Sequence, residues 1–174
     1  MFGFETQRLN VIDAKNIVRD DKSATSLYVR LPELLTDEVL TTLPPYFASE
    51  LAEYSAKDWV KRRLDEGEML AIVERQSNAI IGLMFVFVET DSSDQLHLRI
   101  GYLFHKRVWG QGFASELLLG FVEHCAMRST VASIAGGVEV GNVASARVLE
   151  KAGFELDQSQ STLETLQYVK AFVR

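Results

Sequence analysis

Apolar residues recur along the chain with two periods, and the switches between them mark out its elements. "ETQRLNVID" (Glu5 to Asp13) alternates and predicts a first strand. From Ala24 to about Gly67 the period is helical. It breaks at "LPPYF", where Pro44 and Pro45 belong at a turn or a helix start. "SAKDWVKRRLDEG" carries helix punctuation at both ends, closing on Gly67. "MLAIVE" and "AIIGLMFVFVE" flank the polar "RQSN", which predicts a hairpin turning at Ser77 and Asn78. After the loop "TDSSDQ", Leu96, Leu98, Ile100, Tyr102 and Phe104 alternate with His97, Arg99, Gly101 and Leu103, as in a third antiparallel strand.

Beyond "RVWGQG" a helix carries Leu117, Phe121 and Cys125 at one-turn spacing. "VASIAGGVEV" reads as another strand. "NVASARVLEKAGF" reads as a helix with Asn142 as N-cap and Gly153 at its C-terminal end. "TLETLQYVKAFV" supplies a final strand. Strands followed by strand–helix–strand–helix–strand imply an α/β fold, a mixed sheet with helices on its faces. With no repeat or linker, residues 1–174 are expected to form one domain.

Gly110 and Gly112 stand where a helix is about to begin, and their purpose is open to several readings. They can serve a tight strand-to-helix turn and nothing more. A dinucleotide fingerprint fails, because Ser115 replaces its third glycine and no acidic residue follows at about 20 positions. A Walker loop fails because no Gly-Lys-Ser/Thr follows. In the remaining reading the glycines expose N–H groups to a pyrophosphate at a helix N-terminus that lacks a side-chain cap. The anion is then held by backbone alone.

Composition narrows the field further. The 174 residues are 47% apolar, enough for a sizeable core. A net charge of −6 without a basic block argues against nucleic acid as partner. The longest apolar run, Ala79 to Val88, is too short to cross a bilayer. Acidic residues interrupt any signal-peptide order near the start, and one cysteine makes no internal disulfide. The expectation is a cytoplasmic protein that does not act at a membrane. Three histidines and one cysteine show no metal-ligand spacing, so no metal is expected.

"GYLFHKRVWGQGFASELL" resembles the acetyl-CoA motif of the GNAT N-acetyltransferases, Gln/Arg-x-x-Gly-x-Gly/Ala, read here from Arg107 to Gly112. "NVASARVLEKAGF" resembles that family's second motif, in the version of the branch that includes ribosomal-protein N-terminal acetyltransferases, and "ETQRL" resembles that branch's opening. The resemblance covers Glu68 to Phe154 well and Ala24 to Gly67 weakly. It implies the GNAT fold, with the Leu96–Phe104 and Val131–Val140 strands splayed apart. The coenzyme's pantetheine arm would use backbone groups of Tyr102, Leu103 and Phe104. Its pyrophosphate would sit on amides from Val108 through Ser115, a span holding Gly110, Gln111, Gly112, Phe113 and Ala114 and preceded by Arg107. Asn142 would contact its reactive end.

The resemblance also implies the reaction, attack of a neutral amine on the acetyl thioester with coenzyme A leaving as thiolate. The acceptor would be a protein N-terminus or a small amine. Amines of pKa ~8 to ~10.4 are mostly protonated at neutral pH, so a base or a desolvated pocket helps. Relatives carry a tyrosine acid where this chain has Leu149, and frequently a glutamate where it has Arg99. Ser145, at i+3 from Asn142 and on the same face, is the candidate proton donor. His97 is the candidate base, with Glu139 a further option. Trp59, Tyr46, Phe47 and Tyr54 either line the acceptor pocket or pack. The alternative function is a module that binds acyl-CoA without catalysis, as a sensor or scaffold. A monomer or a homodimer is expected, because a sheet with an exposed final strand can pair.

Overall fold

The computed structural model describes residues 2–43 and 45–173. Pro44, expected at a turn, lies outside the described residues; Pro45 is the N-cap of a helix, Tyr46–Glu53. The chain divides into two compact units. One runs up to Phe85 and takes in residues 102–111; the other holds residues 86–101 and those from Gly112 onward.

The first unit contains β1 (Phe4–Glu5), β2 (Leu9–Asp13), β3 (Glu68–Glu74), the Ala79–Phe85 part of β4 (Ala79–Thr90) and the Tyr102–Phe104 end of β5 (Leu96–Phe104), side by side in that order. β2 is antiparallel to both β1 and β3. The single strand expected over Glu5–Asp13 is therefore two. Thr6 closes the turn between them: its N–H donates to the Leu9 carbonyl (2.9 Å), and its hydroxyl accepts from the Leu9 N–H (3.0 Å). The hairpin after β3 turns through Ser77 and Asn78 as expected, with Asn78 at a φ of 54°.

The helical stretch expected from Ala24 comprises α2 (Asp21–Leu34), α3 (Asp37–Leu40), α4 (Tyr46–Glu53) and α5 (Ala56–Glu66), preceded by a short α1 (Ala14–Ile17). Side-chain caps set three of the starts, with Asp13 accepting from the Lys15 N–H (2.9 Å) at α1. Asp20 accepts from Ser23 N–H (2.8 Å), and Ser55 from Asp58 N–H (3.2 Å). On α5, Trp59 is fully buried and packs edge-on against Phe85, with ring centroids 6.2 Å apart. Phe47 packs on Trp59 as well. These two aromatics are core. Between them the buried guanidinium of Arg63 donates to Glu50 (2.6 Å) and Glu66 (2.8 Å), so its charge is compensated.

The second unit contains the Val86–Thr90 part of β4, the Leu96–Gly101 part of β5, then β6 (Val131–Glu139), β8 (Thr165–Ala171) and β7 (Glu155–Asp157), again side by side in that order. β5 and β6 are parallel; β8 is antiparallel to β6 and β7. The three-residue β7 is too short to show a period, and the sequence did not predict it. Helices α6 (Phe113–Ala126) and α7 (Val143–Lys151) pack on each other and on β6. Close approach of α7 depends on Gly136, where a Cβ would lie 3.3 Å from Leu149 Cδ2 and 3.7 Å from Ile100 Cγ1. A bulge at Ala132 shifts the β5–β6 register. Leu96 stands opposite Val131, but His97 stands opposite Ser133. The paired register ends at Ile100 and Gly136.

Candidate functional site

The end of β5 leads into a turn of unusual backbone. Lys106–Val108 form one 3-10 turn, capped by His105, whose Nδ1 accepts from the Arg107 N–H (3.0 Å). Nearby cations and partial burial hold His105 below the usual imidazole range: burial acts first, then Arg30 and Arg107. The Trp109 indole N–H donates to the Phe104 carbonyl (2.8 Å) and pins the turn to the strand. Gly110 (φ 72°) and Gly112 (φ 80°) are both left-handed, which is why glycine is needed at each. The Gln111 side chain donates to the Arg107 carbonyl (2.8 Å).

Gly112 is the N-cap of α6 and brings no side-chain cap. The first N–H of the helix ladder is that of Glu116, bonded to the Gly112 carbonyl (3.1 Å). The amides of Phe113, Ala114 and Ser115 precede it, at the positive end of the helix dipole. The Arg8 guanidinium, 103 residues earlier, donates to the Gln111 carbonyl (3.0 Å) and ties the turn to the start of the chain. Nothing in the spacing signals that contact, although Arg8 belongs to the "ETQRL" opening.

In the first unit, Leu103 and Phe104 are buried and Tyr102 half-buried. Gly82 lets β4 run close beneath them: a Cβ there would lie 2.4 Å from the Leu103 carbonyl oxygen. Arg107, Gly110 and Gln111 follow on the exposed turn, and Val108 is buried.

In the second unit, Asn142 caps α7 by accepting from the Ser145 N–H (3.1 Å). That ties the two residues together as their spacing predicts. Leu149 is buried against Gly136 and offers no proton. Ile100 lies on the same side of β5 as Leu149, so strand alternation turns His97 and Arg99 to the opposite side. His97 is therefore not brought together with Ser145 and Asn142.

His97 has partners of its own. Its Nδ1 is 2.8 Å from Ser133 Oγ, and its Nε2 is 3.1 Å from Asp91 Oδ2. The bond from His97, ahead of the main-chain N–H groups, holds the Asp91 carboxyl below its usual range. Arg99 pairs with Glu89 (2.6 Å). Asp91 and Ser133 were not singled out in the sequence. Glu139 is exposed at the end of β6. Cys125 is buried in the α6 stripe, where burial pushes its thiol up to about 12. Among the described residues no group of three or more His, Cys, Asp or Glu is arranged to hold a metal ion. Nor is any helix among them long and apolar enough to cross a membrane.

A family model described as the acetyltransferase (GNAT) domain matches residues 20–155. The uncharacterized protein YkkB of Bacillus subtilis (strain 168) is 23% identical over 146 residues, which span 81% of this chain and 79% of that protein. Among solved structures, a GNAT-family acetyltransferase from Bacillus anthracis superposes with a TM-score of 0.71 at 16% identity, covering 98% of each chain. RimL, a ribosomal L7/L12 alpha-N-protein acetyltransferase solved with coenzyme A, superposes with a TM-score of 0.57 at 16% identity, covering 95% of each. At such identities these structures speak for the fold.

Proposed function

The chain belongs to the GNAT acetyltransferase family, and on that premise we propose that it moves an acetyl group from acetyl-CoA to a primary amine, by direct attack within one domain of residues 1–174. The observation that carries the proposal is the turn entering α6. Two left-handed glycines and an N-cap without a side chain present main-chain donors to an anion. This donor set suits a diphosphate: it is main chain, and it stands at the positive end of a helix. Acetyl-CoA, when bound, supplies the acetyl thioester.

The chain's own residues take the following parts. The Val108 and Trp109 N–H groups, expected among the diphosphate's donors, are instead given to the His105 and Lys106 carbonyls (3.0 and 3.1 Å). The amides that hold the diphosphate therefore belong to the turn of Gly110, Gln111, Gly112, Phe113, Ala114 and Ser115, with Arg107 beside them. Backbone groups of Tyr102, Leu103 and Phe104 hold the pantetheine arm, and one of their N–H groups is the donor for charge developing on the carbonyl oxygen. Asn142 fixes the start of α7 near the reactive end, and the Ser145 hydroxyl gives a proton to the departing sulfur. His97, the base expected from the sequence, lies on the other side of β5 with Ser133 and Asp91 as its partners and takes no part in this transfer. The acceptor is a protein N-terminal amine, in keeping with the named activity of RimL, or a small-molecule amine. The cytoplasm is the proposed location, in keeping with a lone, buried cysteine.

A second reading, a coenzyme-binding module without catalysis, draws on Leu149 and on the Arg99–Glu89 pair. Both stand where relatives keep proton-transfer groups. Incubation with acetyl-CoA and a panel of peptides and small amines, followed by thiol release, separates the two. Release that depends on one acceptor class supports transfer, with Ser145→Ala lowering kcat more than coenzyme affinity. Tight coenzyme binding without release for any amine supports the module. Failure to bind coenzyme overturns both.

A further inference from the structure

Asp91, His97 and Ser133 form a hydrogen-bonded line on the side of β5 that faces away from α7. Each link is built. Asp91 Oδ1 accepts from the main-chain N–H groups of Ser93 (2.8 Å) and Gln95 (3.0 Å), which aims Oδ2 at His97 Nε2. A carboxylate at Nε2 fixes the ring proton there and leaves Nδ1 as an acceptor. In that tautomer the Ser133 hydroxyl is the donor across the 2.8 Å contact. Ser133 stands opposite His97 because of the bulge; an unbroken register would put Ala132 there.

A serine hydroxyl donating to an imidazole nitrogen, itself oriented by an anchored carboxylate, is the arrangement that activates an oxygen nucleophile. Ring nitrogens are used in the reverse order from most serine hydrolases, which leaves the proton path unchanged. The line is open to a small molecule, since the His97 and Asp91 side chains are 44% and 41% exposed. Arg99, two residues along on the same side, is paired with Glu89 (2.6 Å).

We propose that Ser133 is an acyl-accepting nucleophile and that this face hydrolyses small activated carboxylic esters without coenzyme. Ser133 Oγ bonds to the ester carbonyl carbon while its proton passes to His97 Nδ1. The bond to the leaving oxygen then breaks, and that oxygen takes the proton from His97. Water next attacks the acyl-serine and gives its proton to Nδ1; the acid departs as Ser133 regains its hydrogen. Asp91 is a positioning residue throughout.

The test uses the full chain free of coenzyme, with p-nitrophenyl acetate as substrate and a fluorophosphonate as probe, the adduct being located by peptide mass mapping. The expected result is a phosphonate on Ser133 and ester hydrolysis that falls on the order of 10²-fold in Ser133→Ala. Asp91→Asn should displace the pH profile of the esterase rate. Acetyl transfer to amines, measured in parallel, should persist in Ser133→Ala, which separates this activity from the one above. Equal hydrolysis by wild type and Ser133→Ala, or an adduct only elsewhere or nowhere, overturns the proposal. Should Ser133→Ala fail to fold, the site of labelling on the wild-type chain decides alone.

Discussion

Gly110→Ala isolates the backbone conformation of the turn from every neighbouring contact. A Cβ at Gly110 would meet no atom within 4 Å, so alanine brings no clash. What it brings is the cost of holding an L-residue at a φ of 72°, about 1–2 kcal/mol. Where that cost falls depends on when the turn forms. If the free protein already holds it, the melting temperature drops by roughly 2–8 °C, at about 2–4 °C per kcal/mol for a chain this long. If the coenzyme draws it into shape, stability is untouched and coenzyme A binds about 5- to 30-fold more weakly, at ~1.4 kcal/mol per tenfold. Titration calorimetry with coenzyme A and a thermal melt read the two shares separately, and together they should reach the full amount. Gly110→Asn is the control, because asparagine tolerates the left-handed region better. An alanine variant that matches wild type in both assays, or an asparagine variant that loses as much as alanine, would refute the reasoning.

Three further outcomes follow from the same geometry. Gly82→Ala should cost about 3 kcal/mol, seen in a denaturant melt, because its Cβ meets the Leu103 carbonyl at 2.4 Å and main chain has little room to yield. Asn142→Ala should lose about 1 kcal/mol of stability with its cap, and Asn142→Ser should restore most of it; equal melts for all three would remove the cap from the account. Cys125, with its thiol pushed up to about 12, should resist iodoacetamide at pH 8 in the native chain and react once unfolded. The raised value means that the folded state keeps its proton while the unfolded thiol ionises from about 8.5, so stability declines as pH rises above that point. Cys125→Ala should flatten this decline in melts taken from pH 8 to 10.

Where a sequence signal is local, it was legible. The α6 stripe, the Asn142 cap and the Ser77–Asn78 turn each depend on residues within a few positions of one another, so periodicity and cap chemistry reach them. The first hairpin was misread because Thr6 acts through its main chain and its hydroxyl, which alternation does not record. Arg8 on Gln111, and Ser133 opposite His97, were out of reach for another reason. Both join residues far apart in sequence, and the second also depends on Ala132, which has no place opposite β5 and shifts the register by one. The candidate base His97 therefore carries no sequence mark of its partners. Its Ser133 partner arrives only when β5 and β6 lie side by side, and its Asp91 partner from the loop before β5.

The crossings between the two units carry a last consequence. They fall at Phe85–Val86 and Gly101–Tyr102, inside β4 and β5, and at Gln111–Gly112, between the two glycines of the turn. No single scission can release either unit whole. Truncations made to hunt for a minimal fragment should yield insoluble pieces, and denaturation should register as one cooperative event. Whatever loosens those two shared strands loosens both halves of the molecule at once.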